Sequence, residues 1–300
     1  MASQKTYEQL LRRPRVGSWG WFKWGFVRLW LGTVGRLSKG VRLGYRYGFD
    51  SGEMLDYVYE NKARGSLLIG RVIDRMFLNA VGWKGIRQRK VNLQAALRTA
   101  IAAAPAKGVV HVADVAAGPG RYLIELAKEF GPTRIRITVR DYDAVGVEQG
   151  RAHAQRLGLT NANFDRGDAF DPQDLARIQP RPDIVVVSGL YELFADNEMI
   201  RRSLGGIRAL LAPSGQLLYT NQPTHPQLEM IARTLPNREG KPWVMRLRSQ
   251  EEMDGLVRGA GFAPTGTVAD QWGIFTVSHA NVIPLSVKKP TPTPASQRRA

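Results

Sequence analysis

The feature that most constrains this chain is one turn, His111-Val112-Ala113-Asp114-Val115-Ala116-Ala117-Gly118-Pro119-Gly120-Arg121. Before it, the β-branched run Val109 to Val115 predicts a strand. After it, apolar Leu123, Leu126, Ala127 and Phe130 predict a helix, which Gly131-Pro132 stops. A glycine-rich turn between a strand and a helix lets the backbone approach a ligand closely and presents free N–H groups at the helix start. Such a unit belongs to a parallel α/β sheet.

The rest of the chain repeats that unit. Ile135 to Val139 predicts a second strand, Asp141 to Asp143 lead into a helix ending at Gly158, and Phe164 marks a third strand that ends near Asp168. Ile184 to Val187 is a continuous Ile/Val run, as in a strand buried on both faces. A helix from about Asn197 to Leu211, a Pro213-Ser214-Gly215 turn and a strand over Gln216 to Thr220 follow. Helices are expected over Pro226 to Leu235 and from the capping spacing of Ser249 and Glu252 up to Gly261. Two last β-like runs, about Ala263 to Val268 and Ile274 to His279, are too close for a crossover and suit an antiparallel hairpin. The prediction is a doubly wound, Rossmann-like α/β sheet of seven strands that closes in a hairpin, over residues 92–283.

Three carboxylates fall at successive strand ends, the side on which open α/β sheets bind ligands. Asp114 leads the glycine turn. Asp141 ends the second strand, where it can accept hydrogen bonds from both ribose hydroxyls of a nucleotide cofactor. Asp168 ends the third, in Gly167-Asp168-Ala169-Phe170. Alternatives remain: Asp141 or Asp143 could cap the next helix and Asp168 a turn. A nicotinamide fingerprint would space its glycines G-x-G-x-x-G, and this turn does not.

The turn resembles the cofactor loop of class I S-adenosylmethionine-dependent methyltransferases, in which an acidic residue precedes three alternating glycines. Ala116 replaces the first glycine, which is tolerated if that residue need not take φ > 0. The closing hairpin is also the class I methyltransferase arrangement. The resemblance implies S-adenosylmethionine as cofactor, held by Asp114, Ala116, Gly118, Gly120, Arg121, Asp141 and, toward the adenine, Asp168 and Ala169. Ser188 and Gly189 would lie beside its methionine part.

A longer resemblance runs from about Gly44 to Ser278. Gly48-Phe49-Asp50-Ser51-Gly52, Leu55-Asp56-Tyr57-Val58-Tyr59, Ile73-Asp74-Arg75, Gly82-Trp83-Lys84-Gly85-Ile86-Arg87-Gln88-Arg89-Lys90, Ser188-Gly189-Leu190-Tyr191-Glu192-Leu193-Phe194, Asn221-Gln222-Pro223-Thr224-His225-Pro226-Gln227-Leu228-Glu229 and Trp272-Gly273-Ile274-Phe275-Thr276 are similar to a family of putative methyltransferases, also found fused C-terminal to α/β-hydrolases. It implies methyl transfer and a link to phospholipid metabolism.

Transfer from a sulfonium is an in-line displacement, so the main task is to position the acceptor. Two loops offer groups for this. Tyr191 and Glu192 face the acceptor or simply open a helix; His225 acts as a base near neutral pH or starts the helix at Pro226. Residues 49–91 are expected as a helical lid. In it Asp56, Tyr57 and Tyr59 combine carboxylate and aromatic faces that suit an amine, or else pack an amphipathic helix on the core. Arg87 and Arg89 could reach the cofactor's carboxylate or lie on the surface.

Composition bounds the rest. No cysteine is present, which excludes disulfides and thiolate chemistry, and the four histidines lack ligand spacing, so no metal is expected. The formal net charge is +17, which implies an anionic partner. Residues 1–48 carry ten basic residues against one acidic residue, Glu8, together with Trp19, Trp21, Trp24 and Trp30. Trp19 to Val34 is too short and too charged to span a bilayer and has no cleavage site, so a cytoplasmic protein is expected, peripheral on the inner membrane face. The basic, tryptophan-rich arm suits an anionic membrane surface. Nucleic acid, or packing on a partner protein or on the protein's own core, is the alternative. The substrate is then a lipid headgroup or amphipathic small molecule with an amine nitrogen, against RNA, a soluble secondary metabolite, or a non-catalytic scaffold that only binds the cofactor. The tail, 284–300, reads as disordered.

Overall fold

The computed structural model describes residues 4–104 and 108–284. All but the first residue of the tail expected to be disordered, 284–300, lies outside the described residues. The sheet contains β1 (Val110–Asp114), β2 (Ile135–Asp141), β3 (Ala162–Arg166), β4 (Ile184–Val187), β5 (Gln216–Asn221), β6 (Phe262–Ala269) and β7 (Thr276–Val282). Their spatial order is β3-β2-β1-β4-β5-β7-β6. Strands β1 to β5 are parallel, while β7 runs antiparallel to β5 and β6 antiparallel to β7. Every residue of β1 and β4 is buried, as continuous apolar strands covered on both faces require.

The helices are α1 (Tyr7–Leu11), α2 (Trp19–Gly32), α3 (Lys39–Tyr47), α4 (Gly52–Glu60), α5 (Leu67–Leu78), α6 (Val81–Ala103), α7 (Arg121–Phe130), α8 (Ala144–Arg156), α9 (Pro172–Leu175), α10 (Asn197–Leu210), α11 (Leu228–Thr234) and α12 (Gln250–Gly259). One face of the sheet is covered by α6, α7 and α8 through Leu97, Leu123, Leu126 and Val147. The other is covered by α10 and α12 through Ile200, Leu204, Ile207, Met253 and Val257.

A third apolar core lies beyond the carboxyl ends of β4 and β5. It joins Leu10 of α1, Met54, Tyr57 and Val58 of α4, Leu78 of α5 and Trp83 and Ile86 of α6 to Leu228 and Ile231 of α11 and to Trp243 and Met245. This cap corrects two sequence boundaries. Residues 4–48 are no free arm, because Leu10 and Val41 are buried in the fold. The division expected at 91/92 falls inside α6, whose buried stripe runs on from Trp83 and Ile86 to Leu93 and Leu97. Inside the cap Asp74 is fully buried and satisfied, accepting from Ser38 Oγ, the Gly40 and Arg64 amides and the Tyr57 hydroxyl. No described helix is long and apolar enough to cross a membrane.

Candidate active site

The strand order reverses between β1 and β4, and a crevice opens there between the loops that follow them. The loop after β1 is built from backbone. Gly118 and Gly120 take φ of +56° and +68°, in the left-handed region that favours glycine. A Cβ at Gly120 would lie 2.7 Å from Val139 Cγ1. Ala116 is not among the residues of positive φ, which is why alanine serves where the related loops carry glycine.

Each carboxylate of the crevice is tied to this loop or to its own turn. Asp141 accepts from the Gly118 amide at 2.7 Å and from the Asp143 amide at 2.9 Å, and stays half-buried at the end of β2. Asp143, not Asp141, caps α8. Asp114 is fully buried; it accepts from the Ala116 amide and the Tyr122 hydroxyl. Burial pushes its pKa up to about 7, against the lowering effect of those two donors. Asp168 accepts from the Phe170 amide, with Ala169 buried beside it. Arg121 is turned away from the loop onto the bidentate carboxylate of Asp56, and so ties α4 down over the turn. Gly52, which opens α4, sits against Pro119.

Gly189, after β4, takes φ +73° and donates to Thr220 Oγ1. Ser188 and Gly189 are half-buried at the crevice. From α6, the buried Arg89 reaches this point: its Nη1 donates to Glu192 Oε1 at 3.2 Å, and its guanidinium lies over the Phe275 ring. Burial opposes its charge, but Tyr59 and Glu192 outweigh that and raise its pKa. Arg87 instead donates to the Leu78 carbonyl.

Behind Arg89 and Gly189 an apolar cavity runs into the cap. Its walls include Leu31, Phe77, Trp83, Met230, Trp243, Met245 and Phe275, with Glu192, Gln222 and His225 as polar points. Trp83 and Trp243 stack at 6.3 Å. Four buried polar atoms of its lining have no partner among the described residues: Arg89 Nε, Glu192 Oε2, Gln222 Nε2 and Trp243 Nε1. Unpaired buried atoms are rare enough that four on one cavity call for a ligand.

His225 lines the same cavity. Its Nδ1 accepts from the Gln227 amide, so the neutral ring carries its proton on Nε2. Burial pushes its pKa down to about 4. The side chain is therefore a hydrogen-bond donor and not the base expected at neutral pH.

Two other expectations are corrected. Tyr191 is buried under α10, its hydroxyl paired with Ser203, because a phenol this close to the second core is held there by packing. Tyr57 is committed to Asp74. Of the lid's candidates only Tyr59 stands near the crevice, beside Arg89, with Lys90 over its ring. The structure thus brings Asp114, Ala116, Gly118, Gly120, Asp141, Asp168, Ala169, Ser188, Gly189, Glu192 and Tyr59 around one crevice and its inner end, and turns Tyr191, Tyr57, Asp56 and Arg121 away from it. Among the described residues no group of three or more His, Asp or Glu could hold a metal.

The sequence carries no local mark of Trp243, Met245 or Phe77 as site residues, and Leu31 reads there as part of the arm's apolar surface rather than as a cavity wall. Gln222 lies in the stretch after β5 that was singled out for His225. Trp243 and Met245 sit in an irregular strap whose residues show no periodicity. That strap matters, since Arg248 is buried on the carbonyls of Tyr191, Phe194 and Ala195 and the Arg246 amide bonds the Glu192 carbonyl.

Residues 1–282 match a family described as putative methyltransferase. A protein of Escherichia coli K12 called uncharacterized protein YnbC is 50% identical over 259 residues, 85% of this chain, and the chain spans only 44% of that protein's length. Among solved structures, a possible exported protein from Bordetella parapertussis superposes with a TM-score of 0.63 at 17% identity, covering 78% of this chain and 79% of that one. Magnesium protoporphyrin IX methyltransferase from Synechocystis PCC 6803, with S-adenosylhomocysteine bound, gives 0.52 at 15% identity over 86% and 99%. At such identities these structures share the fold, which is that of the class I methyltransferases. The chain belongs to the family of putative methyltransferases.

Proposed function

From that membership, we propose that the chain is an S-adenosylmethionine-dependent methyltransferase working at a membrane surface on a lipid headgroup or amphipathic small molecule, with an amine nitrogen as acceptor. The observation that carries this reading is the junction at Arg89 and Gly189, where a backbone-built nucleotide crevice meets an apolar cavity with unpaired polar atoms.

The residues present fit the cofactor. Gly118 and Gly120 leave the backbone bare, and Asp141 keeps lone pairs for ribose hydroxyls at the strand end. Asp168 and Ala169 would then serve the adenine side and Ser188 and Gly189 the methionine side, as the resemblance implies, and Arg89 would offer a guanidinium to the methionine carboxylate. Bound there, S-adenosylmethionine supplies an electrophilic methyl group on a sulfonium.

The cavity supports the acceptor class. Glu192 Oε2 is a free carboxylate oxygen in an aromatic setting, suited to an amine N–H and able to hold its proton, while the Trp83–Trp243 pair offers π-faces to a cation. Gln222, Trp243 and the His225 Nε2–H supply donors for oxygens on the same head. The apolar walls exclude water and accept a hydrocarbon body.

Titration calorimetry with S-adenosylmethionine should show saturable binding that Asp141→Ala weakens at least tenfold. Release of S-adenosylhomocysteine in the presence of a lipid extract should follow, and Glu192→Gln should cut it about 100-fold with cofactor binding intact. No binding overturns the cofactor assignment. Turnover on RNA or on a soluble metabolite alone overturns the acceptor class, and binding without turnover on any of them supports a scaffold instead.

A further inference from the structure

Helix α5 leaves most of its large apolar side chains exposed. Its inward positions are Gly70, pressed against the Leu37 carbonyl, Asp74, held by four donors, and Leu78, buried in the apolar core of the cap. Its outward positions are Leu67, Leu68, Ile69, Val72 and Met76, with Leu67 80% and Met76 68% exposed. A helix that buries a carboxylate while five large apolar side chains stand exposed beside Arg71 and Arg75 departs from the pattern of a helix that faces water.

Beside it, across the short turn Val34–Leu37 that both helices contact, lies α2. There Trp24 is buried toward α11, and Trp19, Phe22, Phe26, Leu29 and Trp30 stay exposed. On either side of that turn the two helices each present several large apolar side chains to solvent, more than scattered surface residues. Its surroundings carry a single sign of charge. Lys23, Arg28, Arg36, Arg42, Arg71 and Arg75 are exposed, no acidic residue occurs between Glu8 and Asp50, and the only one in α5 is buried. A groove of Arg36, Lys39, Arg42 and Arg46 borders it.

We propose that the joint face of α2 and α5 docks into the headgroup and acyl boundary of an anionic phospholipid bilayer, and that the acceptor reaches the cavity from the bilayer between these helices. Aromatic and aliphatic side chains enter the boundary while the arginine rim meets phosphates. The same helices wall the cavity: Leu31 follows exposed Trp30, and Phe77 follows exposed Met76. The inference rests on the membrane-surface reading above and gives it a second helix and an access route.

The test is flotation of the full chain with vesicles of phosphatidylglycerol and phosphatidylcholine, and with phosphatidylcholine alone, alongside Leu68→Ser/Val72→Ser/Met76→Ser and Phe22→Ser/Phe26→Ser variants. The wild type should float with anionic vesicles, more weakly in high salt, and each variant should partition at least tenfold less while binding S-adenosylmethionine as before. Brominated acyl chains should quench its tryptophan fluorescence. Flotation unaffected by the α5 substitutions, absence of flotation with anionic vesicles, or salt-sensitive binding to RNA alone overturns the proposal. Cofactor binding that persists in such a failure leaves the methyltransferase reading standing, and flotation without methyl transfer to any lipid would sink the lipid-acceptor reading together with the access route while the docking face stands.

Discussion

The crevice over β1 and β2 and the cavity in the cap treat polar atoms in opposite ways. In the crevice Asp114, Asp141 and Asp168 all have partners before any ligand arrives, most of them backbone amides. In the cavity four buried polar atoms have none among the described residues. Each unpaired atom costs about 1–3 kcal/mol of stability. The first region is finished by folding, whereas the second is built at a cost that a bound ligand offsets.

Substitutions should separate the two. Gly120→Val forces a β-branched residue into φ +68° with its Cβ 2.7 Å from Val139 Cγ1. The expected loss is about 2–4 kcal/mol, read as a lower unfolding temperature together with loss of cofactor heat. Gln222→Met does the reverse: stability holds or rises by about 1 kcal/mol, while product formation falls at least tenfold. A marked destabilisation by Gln222→Met would show that its amide is satisfied after all, and the contrast would break. Between these, Asp141→Asn should weaken cofactor binding by about 1–3 kcal/mol in calorimetry and leave the acceptor KM unchanged.

pH sharpens the contrast further. The Asp114 carboxyl is raised, so its protonated form is favoured in the folded chain. Its contribution to stability is complete below the unfolded carboxylate range and is lost as pH rises through about 7. The ligand-free protein should therefore lose a few degrees of unfolding temperature between about pH 5 and pH 8 that Asp114→Asn does not lose. His225 is lowered to about 4, so the rate should show no His225-dependent limb between about pH 6 and pH 8. His225→Asn is expected to have the smallest effect, a loss of less than about tenfold with the profile unmoved.

The crevice was legible in the sequence because strand ends and glycine turns carry local signals. Asp114, Gly118, Gly120 and Asp141 each obey a rule about backbone and spacing. The ends of the terminal hairpin were less so: β7 begins at Thr276 and runs to Val282, since pairing with β5 extends it past the β-branched run. The cavity was poorly legible. Its walls come from α2, α5, α6, α11 and an irregular strap, so no local period marks them. Tyr191 and Tyr57 read as site residues because their neighbours are, yet packing turns both hydroxyls inward. The exposed face of α5 was hidden for a different reason: its inward anchor is Asp74, and periodicity alone places a carboxylate outside.

Hydrogen–deuterium exchange with and without S-adenosylhomocysteine tests the division most directly. Protection is expected over residues 114–121, 141–146 and 188–192, with little change over 222–245 until an acceptor is added. Protection confined to the cap, or none in the turn from Asp114 to Gly120, would contradict it.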